Sequence, residues 1–407
     1  MEQNGFRSRQ RRRIGLLPTG GKGWIAGAIY LKNIILALHC LPSGDRPDLF
    51  LIRHIDSSWD PAPELKGTPV KSRYYSHRRR GDRKSRSGLM KQSLLAGKWP
   101  CSYESLVLRL GLHALFPVCE SLGKDFPVPW IGWIPDLQHK RLPQFFSADE
   151  LRRRDQRFQR MAEEAPQLVV SSEDAYNDLM RWFPMAEGRA SVLSFPMVPV
   201  AQWYAAHPES VVEKFHLPAK FLMFPSQFWA HKNHRVLFDA MRLLKQKGIE
   251  DIALVCTGFQ EDYRAPEHLK RLRSFMNEHR LGPHIFLLGL LERVEQIQLL
   301  RSAAAVVQPS LFEGWSSLLE DCRSLGKRIY VSDIPVHREQ KPAHARFFDP
   351  HDAGDLAERI AGDWGRLTPG PDAESEKQGR EEAARQAVGF GKRFLQIVEK
   401  AHQARNH

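Results

Sequence analysis

Short apolar runs recur along this chain, separated by stretches with the spacing of amphipathic helices. In the first half the runs are Ile14 to Leu17, Leu49 to Ile52, Leu115 to Val118, Trp130 to Ile134 and Leu168 to Val170, closed by Val192-Leu193. Each is short, unbroken and rich in branched or aromatic side chains, as expected of strands covered on both faces. The stretch from Trp24 to Leu41 is longer, but Lys32, Asn33 and His39 interrupt it. It falls short of the roughly 20 apolar residues of a membrane span, and it reads as an amphipathic helix laid on a sheet.

From Pro196 to about Leu217 the pattern breaks, with prolines at 196, 199, 208 and 218, and this segment reads as a linker. A second series of runs then begins: Phe221 to Phe224, Ile252 to Val255, Ile285 to Leu288, Ala304 to Val307 and Ile329 to Val331. Helical patterns such as Val236 to Leu244 and Val294 to Leu300 fill the gaps. Strands alternating with helices imply βαβ units and mostly parallel sheets. The expectation is an α/β chain of two consecutive Rossmann-like domains, 1–200 and 201–388. The tail from Thr368 to about Arg385 is polar and reads as a loop or a solvated helix start. Gly389 to Ala401 reads as a final amphipathic helix, within a last segment 389–407.

A length of 407 residues suits two such domains. Five cysteines are scattered without metal or redox spacing, which fits a reducing cytoplasm. The arginines from Arg7 to Arg13 mimic the start of a secretion signal, but the apolar run after them ends at Pro18, so no signal peptide is expected. The formal net charge of +13 is high. Much of it gathers at Lys71, Arg73, Arg78, Arg79, Arg80, Arg83, Lys84, Arg86 and Lys91, opposed only by Asp82. Such a run is usually a solvated loop. It also suits contact with an anionic membrane surface or a lipid diphosphate, and the expected location is cytoplasmic, with peripheral attachment to the inner membrane face as one reading. No nucleic-acid-binding module is recognisable, and no nucleic-acid partner is expected.

The chemistry concentrates at strand ends. Pro309 to Asp321 follows the buried run ending at Val307 and opens a helix that stops at Gly326. It sets Glu313 in a tight loop beside Gly314, Trp315, Ser316 and Ser317, with Asp321 inside the helix. Ligands of open α/β sheets bind beyond the carboxyl ends of the strands, and free amides at a helix start favour anions. A carboxylate beside such a helix start suits a molecule with hydroxyls at one end and phosphates at the other. The plainer alternative is a serine cap followed by solvated acids. A second loop, Pro225 to His234, offers Lys232 to a diphosphate. A third, Gly20 to Gly27, contains Gly20, Gly21, Gly23 and Gly27, which lets backbone approach a ligand but matches no strict phosphate-binding fingerprint. The fourth, Ile134 to Pro143, carries Asp136 and His139.

The spacing acid, seven residues, acid from Glu313 to Asp321 resembles that of the retaining glycosyltransferases of the GT-B fold, family 4 or group 1. There the second acid is usually Glu, and here it is Asp. The family carries an Arg and a Lys in the loop at 225–234, five residues apart, where this chain has Gln227 and Lys232. The resemblance is densest from Phe221 to Pro350, and residues 55–110 carry no motif that fits it. It implies two Rossmann-like domains facing each other across a cleft, with the last helix returning to the first domain. It implies transfer of a sugar from a nucleotide-diphosphate donor, with retention, to a hydroxyl of a saccharide or lipid-linked acceptor in cell-surface polysaccharide or glycolipid synthesis. The sugar nucleotide is a co-substrate, and neither a cofactor nor a metal is implied. Carried over residue by residue, Glu313 contacts sugar hydroxyls and Asp321 the ribose. Lys232, Gln227 and the amides from Gly314 to Ser317 face the diphosphate, with Gly23 and Gly27 across the cleft. Leu291, after Gly289, lies near the base, and Asp136 or His139 stands on the acceptor side. Two other readings keep much of this picture: a nucleotide-sugar epimerase with the same pair of domains, and a catalytically silent sugar-nucleotide-binding protein.

Overall fold

The computed structural model describes residues 11–19, 26–54, 67–75, 102–205 and 207–404. Gly20, Gly21, Gly23 and the part of the basic segment from 76 to 91 lie outside the described residues.

The first domain is built on a parallel sheet of seven strands: β1 (Arg13–Leu16), β2 (Asp48–His54), β3 (Lys71–Tyr75), β4 (Ala114–Val118), β5 (Trp130–Trp133), β6 (Gln167–Val170) and β7 (Ala190–Val192), in the order β3-β2-β1-β4-β5-β6-β7. The second has six: β8 (Leu222–Pro225), β9 (Leu254–Thr257), β10 (Ile285–Gly289), β11 (Ala305–Gln308), β12 (Ile329–Ser332) and β13 (Ala345–Phe348), in the order β10-β9-β8-β11-β12-β13. Central strands such as β4, β6 and β9 are buried at every position. Helices cover both faces, so the strands read as unbroken apolar runs. In each sheet the order reverses beside the first strand of the series, between β1 and β4 and again between β8 and β11. Such switch points open a crevice at the carboxyl ends of the strands.

Among the described strands, two escaped the sequence pattern. β3, KSRYY, lies in the segment read as a solvated loop, and β13 in a stretch with no assigned element. Both are edge strands, so neither carries the fully buried run of a central strand. On β3 the cations serve as cover: Lys71 and Arg73 sit over the Phe50 ring at 5.7 and 5.4 Å. The helix Tyr103–Leu110 buries only Leu106 and Val107.

The tail forms one continuous helix, Ala373–Gln403, rather than a loop followed by a short helix. Asp372 caps it by accepting from the Ser375 amide. Its first half lies on the second domain, where Glu376 pairs with buried Arg301 at 2.6 Å. A Cβ on Gly379 would stand 2.4 Å from the Arg323 carbonyl oxygen, so only glycine admits this approach. Its second half completes the first domain's core with Phe390, Phe394, Ile397, Val398 and Ala401, packed among Leu31, Leu38, Leu41 and Phe116. Burying each of the large side chains contributes about 1.5–3 kcal/mol.

Candidate active site

On the second domain two loops are fastened together. After β8 the chain passes through the tight turn Ala230–Lys232 and reaches Asn233 in a left-handed conformation (φ +61°). The Asn233 side-chain Nδ2 donates to the carbonyls of Pro309 at 3.1 Å and Pro350 at 2.8 Å, and the Leu311 backbone amide donates to the His231 carbonyl at 2.9 Å. The turn carrying Lys232 is thereby fixed to the loop carrying Glu313. Lys232 Nζ donates to Glu313 Oε1 at 2.6 Å, and both side chains are largely buried. Gln308 Nε2, at the end of β11, donates to the same oxygen at 2.8 Å.

Behind Glu313 lies a buried polar scaffold. Gln308 also approaches the hydroxyls of Ser310 and Ser316 at 3.2 and 3.3 Å. The Ser332 hydroxyl donates to the Ser310 carbonyl at 2.6 Å, and the His337 ring donates to the Ser332 carbonyl at 2.9 Å. Burial lowers the His337 pKa to about 4, although Glu313 and Ser332 pull the other way.

The helix Ser317–Ser324 starts on Ser316, whose hydroxyl accepts from the Leu319 amide. Gln340 clamps this start: its side-chain oxygen accepts from the Ser316 amide at 3.0 Å, and its nitrogen donates to the Ser316 carbonyl at 3.0 Å and to Glu320 at 2.9 Å. The Ser316 amide expected to face a diphosphate is therefore occupied. Helix geometry leaves over the amides of Ser317 and Leu318 instead, and both residues line the cleft. Asp321 is buried and ion-paired with Arg293. Burial raises its pKa, and the guanidinium opposes that shift. Neither Asp321 nor Leu291 is among the residues lining the cleft cavity, and Leu291 packs against the second domain's core.

The first domain contributes the loop after β5. Asp136 Oδ1 accepts from the Gln138 amide at 2.9 Å, fixing a local turn at the cleft. A Cβ on Gly314 would stand 2.4 Å from the Pro135 carbonyl oxygen and 2.8 Å from Asp136 Cβ, so the backbones of the two domains touch here. Trp315 Nε1 donates to the Phe195 carbonyl at 3.0 Å. Further out, Glu339 accepts from the amides of Glu173 and Asp174 at 2.9 and 3.2 Å, at the start of the helix Glu173–Trp182. His139 points elsewhere. Its side chain is fully buried, Nε2 meets Asp155 at 2.9 Å, and it lies 5.3 Å from Phe158 centre to centre. Burial lowers its pKa against the pull of Asp155.

The cleft cavity measures about 200 Å³. It gathers Asp136, Gln227, Lys232, Glu313, Gly314, Trp315, Ser316 and Ser317 from three separate loops and leaves out His139, Asp321 and Leu291. Gly27 is in the helix Ala26–His39, where its carbonyl accepts from Thr19, and its helix neighbours Ile29 and Tyr30 line the cavity. Gln308, Gln340 and His337 were missed, because a polar residue at a strand end or on a short helix carries no periodic signal. A second cavity of about 1150 Å³ adjoins the first and shares Trp133, Pro135, Asp136, Gln138 and Trp229 with it. No group of three or more His, Cys, Asp or Glu side chains able to hold a metal ion occurs among the described residues. None of the described helices is long and apolar enough to cross a membrane.

Residues 209–362 match the model of the family described as Glycosyl transferases group 1. Among solved structures, the chain is similar to a glycosyltransferase from Rickettsia africae at 14% identity and a TM-score of 0.63, covering 96% of this chain and 99% of that one. It is similar to Anabaena HepE in complex with UDP and glucose at 14% identity and a TM-score of 0.64, covering 96% and 100%. A sucrose-phosphate synthase from Thermosynechococcus elongatus aligns at 17% identity and a TM-score of 0.65, covering 95% and 99%. No curated protein sequence matches. The architecture is therefore GT-B, and Lys232, Glu313 and Asp321 all lie within the segment that matches the group 1 glycosyltransferase model.

Proposed function

We propose that this chain is a retaining glycosyltransferase that moves a sugar from a nucleotide-diphosphate donor to a hydroxyl acceptor. The observation that carries the reading is the Lys232–Glu313 contact at a sheet switch point. It puts a cation for the diphosphate and a carboxylate for sugar hydroxyls within one bond of each other. On binding, Lys232 turns from Glu313 to the phosphates, and Glu313 accepts from the sugar in its place. Negative charge then grows on the departing diphosphate, where Lys232 and the amides of Ser317 and Leu318 meet it. The bond from the anomeric carbon to the phosphate oxygen breaks as the acceptor oxygen bonds to the same face. The acceptor proton passes to the departing oxygen. Asp136 orients the acceptor hydroxyl.

A cavity of about 200 Å³ is smaller than the roughly 300–1,000 Å³ of sites that enclose whole small ligands. Donor entry therefore parts the domains at Gly314 and Trp315, and closure excludes water. The reading includes no metal and places the product in polysaccharide or glycolipid synthesis, with the chain at the inner face of a membrane.

The test is a thermal-shift panel of nucleotide-diphosphate sugars on the wild type, Lys232→Ala and Glu313→Ala, followed by transfer assays in the presence of a chelator. Selective stabilisation by one donor, weakened in both variants, with transfer that survives chelation, supports the reading. No stabilisation by any donor sinks it. The Arg293–Asp321 pair, which occupies the acid assigned to the ribose, favours one second reading: a sugar-nucleotide-binding protein without transfer. Transfer by the wild type that is lost in Glu313→Ala excludes that alternative.

A further inference from the structure

The larger cavity is walled on one side by the helix Ala148–Glu164 of the first domain and on the other by the loop after β9 with the helix His268–Glu278. Its aromatic lining includes Trp229 and exposed Tyr263, whose ring faces suit the apolar faces of sugar rings. Asp136 lines both this chamber and the donor cleft, so a hydroxyl presented to Asp136 leaves the rest of its molecule in the chamber.

The cations of the chamber are unequally committed. Arg264 is held by Asp262 at 3.4 Å and donates to Gln138 at 3.0 Å. Arg154 pairs with Glu150 at 3.0 Å, and Tyr263 donates to the same carboxylate at 3.0 Å. Arg157 has no carboxylate within ion-pair distance among the described residues, and its Nε is buried without a hydrogen-bond partner. Its guanidinium lies 4.8 Å from the Phe158 ring. The groups facing it are Arg154, Cys119, Glu120 and Asp136. Burial and Arg154 lower its pKa, and the others oppose that shift. A third cavity of about 700 Å³ runs along the same helix face past Arg153, Arg157 and Arg160, with Glu120, Glu150 and Glu164 also in its lining, so Arg157 stands where the two spaces join. A half-buried guanidinium without a counter-ion is costly unless an anion completes it.

We propose that the chamber is the acceptor subsite and that it takes an acceptor bearing a phosphate or carboxylate group, which Arg157 binds with Arg154 beside it. This rests on the glycosyltransferase reading and adds the chemical class of the second substrate.

The experiment uses the full chain with glucose 6-phosphate, glucuronate and glucose as probes, titrated by calorimetry at low salt into the wild type, Arg157→Gln and Arg157→Lys. At least one charged probe should bind the wild type tenfold or more tighter than glucose. Whichever does so separates a phosphate from a carboxylate source. Arg157→Gln should erase that preference, and Arg157→Lys should restore part of it. Equal binding of charged and neutral probes by the wild type, or a preference that persists in Arg157→Gln, overturns the proposal. Donor binding, read by thermal shift with nucleotide-diphosphate sugars, is a separate arm and also reports that Arg157→Gln is folded. Intact donor binding with no anion preference defeats this inference alone. Absence of donor binding in the wild type defeats the glycosyltransferase reading, and with it the acceptor role, even where an anion binds at Arg157.

Discussion

The two walls of the cleft are built in opposite ways. On the second domain the charged and amide side chains of the site are already paired: Lys232 with Glu313, Gln308 with Glu313 and the serines, Gln340 with Ser316 and Glu320, and Asp321 with Arg293. On the first domain Asp136 is held only by its own turn, His139 is turned into the core, and Arg157 lacks a counter-ion among the described residues. A wall whose groups are cross-braced keeps its geometry before any ligand arrives, which is what stabilising a developing charge requires. A wall with uncommitted groups suits the partner that varies from one enzyme to the next.

Removing the central brace should have the largest effect. Glu313→Ala is expected to lower transfer by about 10²–10³-fold, the scale of losing one preorganised polar contact at a reacting centre. Wild-type rates in that variant would erase the distinction between the walls. Acid should come next. Above its ordinary value of 6.5 His337 is neutral in both the folded and unfolded chain. As the pH falls from 6.5 towards about 4, only the unfolded chain takes up the proton, so stability is lost across that window. For His337 the loss approaches about 3 kcal/mol. Buried His231 and His234, lowered by desolvation first, add in the same direction. Chemical denaturation at stepped pH should show it, and an unchanged midpoint between pH 7 and 5 would contradict it. Gly314→Ala is expected to cost about 1–3 kcal/mol through overpacking at the seam and to slow turnover, while each domain keeps its own core. Unaltered melting and turnover would mean that the seam tolerates a side chain. Trp315→Phe, which deletes one hydrogen bond across the domains, should cost about 1 kcal/mol in melting experiments.

What was legible in the sequence follows the same division. The central strands of both sheets are readable because burial on two faces demands unbroken apolar runs. The edge strands β3 and β13 are not, because Lys71, Arg73 and Arg346 interrupt their apolar positions, whereas the edge strand β10 keeps an apolar run that can be read. On the second domain, Glu313, Lys232 and the helix start at Ser316 announce themselves by position after a strand. Which amides remain available does not, since Gln340 comes from another helix and its effect on Ser316 exists only in three dimensions. Asp136 and His139 lie three residues apart in one motif, yet the chain sends one into the cleft and the other against Phe158. Nothing in the sequence singles out Arg157, because a missing partner leaves no trace there.

The helix Ala373–Gln403 belongs to both domains at once, with Glu376 and Gly379 seated in one and Phe390 to Ala401 in the other. Division of the chain at its proline-rich connection would therefore not yield two self-sufficient fragments. An isolated 1–200 piece would expose the apolar groove around Leu38 and Leu41, while the remainder would carry an orphaned greasy stripe. Such fragments should aggregate when produced separately and become soluble when co-produced, because what each lacks is the other's last surface.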